Sequence, residues 1–249
     1  MKKRGISQEA LKLIACVSML IDHVGATVVL DGFRYAGTET GAWTLYRIYL
    51  LMRVIGRIAF PIYCFLLAEG AHYTHSPRRY VLRLAIGAVL SELPFDLAFF
   101  GGWTWIYQNV MLTMLLGFLA LEAMGKCRNW LLKLLAAAPF ALVAEWCQTD
   151  YGGAGVLLIV LFGITRELPH RGLLQLAGMA LICGFLIPGS TITIGPFRIG
   201  IELFALLGMI PIFCYSGRKT TSGKAVQWGF YLFYPVHLTI LYLLQLLLF

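Results

Sequence analysis

The stretch LKLIACVSMLIDHVGATVVL, residues Leu11 to Leu30, is long and apolar enough to cross a bilayer, yet it carries Asp22 and His23 side by side near its middle. About 20 apolar residues span hydrocarbon as a helix. A charged group at the centre of such a helix costs about 2.5–3.5 kcal/mol, so ionisable residues there face a bundle interior or a water-filled path.

The rest of the chain is of the same kind. Of its 249 residues 59% are hydrophobic and 13% charged, and the mean hydropathy is +0.78; a soluble domain carries roughly a quarter charged residues. Apolar runs recur along the whole length without strand-like alternation. In hydrocarbon every backbone polar group needs an internal partner, so helices follow. The spacing predicts an all-α, polytopic membrane bundle of about nine helices over 9–30, 45–70, 79–100, 108–125, 129–148, 153–166, 172–188, 199–215 and 226–248, forming one domain over 1–249. The sixth stretch is short for a span. The basic start and long apolar run read as an uncleaved first span rather than a signal peptide.

The net charge of +8 excludes nucleic acid as its reason, because the basic residues are dispersed in alternate loops. Lys2, Lys3, Arg4 and Lys12, then Arg78, Arg79 and Arg83, then Lys126, Arg128 and Lys133, then Arg166 and Arg171, then Arg218, Lys219 and Lys224 fall on one side. Only Arg34 and Arg198 fall in loops on the other. The bias of basic residues toward the cytoplasm predicts a cytoplasmic N-terminus and an outer C-terminus. The cysteines, mostly within or at the ends of apolar runs and without a CxxC pair, read as packing residues.

A rise of about 1.5 Å per residue puts His23 ~18–21 Å into the first helix, Arg57 ~18 Å into the second, Glu92 ~20 Å into the third and His237 ~17 Å into the ninth. They share one layer, flanked by Asp22, Arg53 and Asp96. Pro61, Pro94 and Pro235 free the carbonyls of Arg57, Leu90 and Tyr231 beside these groups, predicting three helix breaks at the polar layer. Asp22 and His23 diverge by ~100° around their helix. Asp22 is therefore expected to turn to an arginine of the second helix and His23 to a substrate passage, with Thr27 on the histidine's face. His72 and His75 form a weak metal-like pair. Gln108 and Asn109 read as a helix cap or an acceptor contact, and TDYGGAG (Thr149–Gly155) as a turn.

LKLIACVSMLIDHVG (11–25), RVIGRIAFPIYCFLLAEGAHYTH (53–75), YVLRLAIGAVLSELPFDL (80–97), QNVMLTMLLG (108–117), DYGGAGVLLI (150–159) and YPVHL (234–238) resemble, in order, the motifs of the TraX family. The resemblance runs from about residue 7 to 240. It implies an acyltransferase of the bacterial cytoplasmic membrane, related to F-pilin acetylases. Acetyl would pass from cytoplasmic acetyl-CoA to an amine or hydroxyl of a peptide, glycan or lipid-linked acceptor beyond the membrane. It implies a catalytic His23, which Asp22 accompanies, and acyl-CoA handling by Arg53 and Arg57. Glu69, Glu92, Asp96, Asn109, Tyr234 and His237 are candidate substrate-contacting or supporting residues. A proton-coupled transporter is the alternative, because the same residue types build proton relays.

Overall fold

The computed structural model describes residues 5–187, 189–217 and 223–249. Lys2, Lys3, Arg4, Arg218 and Lys219 of the topology argument lie outside them, as does the side chain of Lys224. Among the described residues the helical stretches follow the order read from the sequence. They are α1 (Gln8–Arg34), α2 (Glu39–Tyr73), α3 (Pro77–Phe100), α4 (Val110–Gly125), α5 (Trp130–Trp146), α6 (Gly152–Thr165), α7 (Arg171–Leu186), α8 (Ile201–Phe213) and α9 (Lys224–Leu248). An antiparallel hairpin, β1 (Thr191–Ile194) and β2 (Phe197–Gly200), turns through Gly195 at φ 60° between α7 and α8. This hairpin departs from the all-α expectation.

Among the described residues, three helices are long and apolar enough to cross a membrane: Gln8–Arg34, Glu39–Tyr73 and Ala225–Leu248. Outward-facing Leu82, Ile86, Val89 and Leu93 on α3, Leu132 and Leu135 on α5, and Val236, Ile240 and Leu247 on α9 are exposed. An apolar periphery of this extent fits lipid better than water. The short α6 owes its length to its place: it packs among α2, α4, α5 and α7, and Val156, Leu158, Ile159, Val160 and Phe162 are almost fully buried.

The helix ends alternate. Ile6, just before α1, donates to Cys214 after α8, and Ser216 donates back to Ile6. At this same end Arg166 after α6 meets Glu69 and Tyr73 of α2. At the other end Gln245 of α9 donates to Asp31 of α1 at 2.7 Å, and Gln108 bonds across to Gln148 and Asp150.

Of the three expected breaks, one occurs. α2 turns at Arg57–Ile58, where the Ile58 amide bonds three residues back to Ile55 at 3.2 Å; this is four residues before Pro61, whose missing donor leaves the Arg57 carbonyl free. α3 and α9 remain helical through Pro94 and Pro235, each giving up one backbone hydrogen bond there. A break that the prolines do not announce lies in α1, whose Gly25–Val29 turn is π-helical and begins two residues after His23. Such bulges recur at functional sites.

Candidate functional site

α1 turns Asp22 toward α2. Its carboxylate accepts from Arg53 and from Arg57 Nη2 at 2.9 and 3.1 Å. Arg57 Nη1 donates in turn to Glu202 of α8 at 2.6 Å. The i, i+4 spacing of the arginines puts them on one face of α2, as expected for partners of Asp22. Two guanidiniums against two carboxylates give a network of zero net charge, the state in which buried ions are tolerable. Gly56 makes room for it: a Cβ there would overlap the Asp22 carboxylate. Gly56→Ala is therefore expected to displace Asp22 and lower the melting temperature in detergent; an unchanged transition would show that the carboxylate has another place to go.

His23 faces away from this network. Its ring stacks on that of His237 with centroids 4.9 Å apart, and Phe99 and Tyr234 approach it edge-on at 5.3 and 6.0 Å. His23 Nδ1 and His237 Nε2 are 2.7 Å apart, and His237 Nδ1 is 2.7 Å from the Phe233 carbonyl. A carbonyl only accepts, so His237 carries its proton on Nδ1 and, when neutral, presents a lone pair at Nε2. His23 then donates from Nδ1, and its own lone pair sits on Nε2, which has no hydrogen-bond partner among the described residues. The chain of bonds thus fixes the tautomer of His23. The Thr27 hydroxyl donates to the His23 carbonyl at 2.6 Å and serves the bent backbone rather than the ring.

Asp22, His23, Arg53, Arg57, Glu69 and Tyr234 line one cavity of ≈ 1490 Å³. Its lining follows α1 from Gln8 to Leu30, a rise of ~33 Å. At one end stand Gln8, Lys12, Thr74, Arg83 and Gln227, at the other Ile106, Tyr107, Gln148 and Ser190.

The acids of α3 do not reach the cavity, contrary to their expected share in the central layer. Asp96 accepts from the Thr104 amide at 3.0 Å, and Glu92 accepts from the side chain and amide of Asn109. The connection 101–109 exposes backbone donors that need acceptors, and these carboxylates supply them. Asn109 is a cap: its Oδ1 accepts from Met111 at 2.9 Å, and its Nδ2 donates to Ala88 at 2.9 Å. Glu69 is engaged by Arg166 Nε at 2.7 Å. His237 stands behind His23. Among the described residues no group of three or more His, Cys, Asp or Glu side chains could hold a metal ion.

Two participants escaped the sequence reading. Glu202 is a lone acid in an apolar helix, the same signal that singled out Asp22. Tyr151 belongs to the predicted turn, which forms with Gln148, Tyr151 and Gly152 at positive φ. That conformation is uncommon for a tyrosine, and it seats the ring flat on Phe60 at 3.7 Å and under the Arg57 guanidinium at 5.9 Å.

Long apolar helices with an exposed apolar periphery, enclosing a cavity that carries buried ion pairs, have the character of a membrane protein. Comparison narrows the class. The family model for "TraX protein" matches residues 7–245, and the chain belongs to the TraX family. It is also similar to a protein of Dichelobacter nodosus described as "Probable fimbrial assembly protein FimC, serogroup H1", with 26% identity over 243 residues, 93% of this chain and 92% of the relative. No solved structure matches it.

Proposed function

We propose that this TraX protein is an acetyl-CoA-dependent acetyltransferase of the bacterial inner membrane. It moves acetyl from the cytoplasmic side to an amine or hydroxyl of an acceptor on the other side, through nine spans with the N-terminus cytoplasmic. The observation that carries the reading is His23 itself: it lines a cavity that follows α1 from Gln8 to Leu30, and its Nε2 has no hydrogen-bond partner among the described residues.

Acetyl-CoA would supply an activated thioester carbonyl. The acceptor's attacking atom forms the new bond to that carbon while its proton passes to His23 Nε2; the carbon–sulfur bond breaks and the departing sulfur takes the proton back. His237 holds the imidazole in the required tautomer and shares its charge once protonated, as orienting partners of a catalytic histidine do. Arg53 and Arg57 are matched in charge by Asp22 and Glu202, so their part would be to donate, from the guanidinium N–H groups those acids leave unused, to the oxygen that gains negative charge. The fimbrial assembly description of the relative favours a protein acceptor, a pilin-like subunit among them.

Purified protein given acetyl-labelled CoA tests the reading: label should reach an acceptor recovered from the membrane or cell surface. Label retained on the enzyme without acceptor marks an acetyl-histidine route. The His23–His237 hydrogen bond is also what a proton relay would need, which favours the transporter as second reading; proton-coupled uptake into vesicles without any acetyl transfer would decide for it. His237→Ala leaves the base but frees its tautomer, so turnover should fall about 10–100-fold, less than for loss of His23. Equal turnover in His237→Ala and the unaltered protein would remove the orienting role.

A further inference from the structure

The cations on the cavity wall are Lys12, Arg53, Arg57 and Arg83. Arg53 and Arg57 are already matched by Asp22 and Glu202. Lys12 lies over the Phe230 ring at 5.2 Å, with Glu9 one turn before it on the same wall. Arg83 differs: no carboxylate lies within ion-pairing distance of it among the described residues. Its Nε donates to the Tyr231 hydroxyl at 3.1 Å, and its guanidinium stands 5.1 Å from the Tyr80 ring and 5.8 Å from the Tyr231 ring. Tyr80 is itself stacked on Phe118 at 4.5 Å. The aromatic clamp fixes the plane of the guanidinium and uses one of its five N–H groups, leaving the fork of the others to bind an anion. Such a fork matches phosphate geometry.

Distance sets which anion. Tyr231 precedes His237 by six residues of α9, a rise of ~9 Å, so Arg83 is too far away to touch an acetyl group held at His23. The arm of coenzyme A between sulfur and the first phosphorus has about 13 bonds, or ~15 Å at the ~3.5 Å that three bonds of extended chain cover. A thioester at His23 and phosphates at Arg83 fit one molecule with its arm partly folded.

We infer that Arg83, clamped by Tyr80 and Tyr231, receives the phosphates of the acyl donor, with Lys12, over the neighbouring Phe230 ring, lending charge. This rests on the acetyl-CoA reading above. It makes Arg83 a specificity residue for the nucleotide end of the donor, apart from the reacting groups.

The test compares the affinities of the full-length protein in detergent for coenzyme A and for pantetheine, which lacks the phosphates. The unaltered protein should prefer coenzyme A, and Arg83→Gln should reduce that preference about ten- to a hundredfold, as loss of hydrogen bonds to a charged group requires. Arg83→Lys should keep part of it. A general loss of fold would weaken both ligands and leave the ratio unmoved, so the ratio reports on phosphate binding alone. Tyr231→Phe, which keeps the ring and removes the hydroxyl that orients Arg83, gives a second measure and should reduce the preference less. An unchanged ratio in an Arg83→Gln protein that binds pantetheine as the unaltered protein does, or no preference in the unaltered protein, overturns the assignment and leaves the acetyltransferase reading standing. Binding of neither ligand by the unaltered protein overturns both.

Discussion

His23→Ala should reduce acetyl transfer about 10²–10⁴-fold, the range that a positioned acid–base group contributes, while the protein stays monodisperse in detergent. The substitution removes the lone pair on Nε2 and leaves the ion-paired network intact, because Asp22 points to α2 while His23 packs against Phe99, Tyr234 and His237. The geometry also limits rescue. His237 still donates its Nδ1 proton to the Phe233 carbonyl and presents Nε2 from behind the missing ring, outside the cavity lining. Added imidazole of suitable size should restore part of the activity by filling the vacated place. Full turnover without either ring would end the proposed role.

The second large effect falls on stability. Asp22 is the shared acceptor of two guanidiniums, with side-chain exposure of 9% against 6% for Arg57. Asp22→Ala breaks the buried Arg57–Asp22 pair and leaves Arg53, 22% exposed at the cavity wall, without a carboxylate and Arg57 with Glu202 alone. Breaking such a pair costs about 3–5 kcal/mol, and thermal unfolding in detergent should show it. Asp22→Ala with Arg53→Met should recover part of the loss, because the remaining Arg57–Glu202 pair is neutral. If the single and double replacements unfold alike, the Arg53 charge is not what the carboxylate answers.

Together the two substitutions separate roles that adjacency in the chain obscures. Asp22 and His23 are consecutive, yet one serves the network between α1, α2 and α8 and the other the seam between α1, α3 and α9. The ~100° step between neighbours on a helix makes this division possible. The π-helical turn after His23 then swings the rest of α1 away from the register of its first half.

Much of the fold was legible in the chain. Long apolar runs mark helices because hydrocarbon leaves the backbone no other partner, and each run is a local property. Asp22 and His23 were likewise legible, because an ionisable group in such a run is costly enough to demand a use. The partnership of Asp22 with α2 followed from the i, i+4 arginines. The burial of α6 did not follow, since a short apolar helix reads the same whether it ends early at lipid or is wrapped by neighbours.

The sequence by itself determined the helices, the chemical types in the polar layer and the family, because hydropathy, spacing and motif order are written along one strand of chain. Only the tertiary structure decided which groups meet. Glu202 joins Arg57 across 145 residues, His237 locks His23 across 214, and Glu92 and Asp96 turn from the cavity to hold a loop. Those outcomes depend on how each helix is rotated about its axis against its neighbours, a choice made by packing between distant segments that no local spacing encodes.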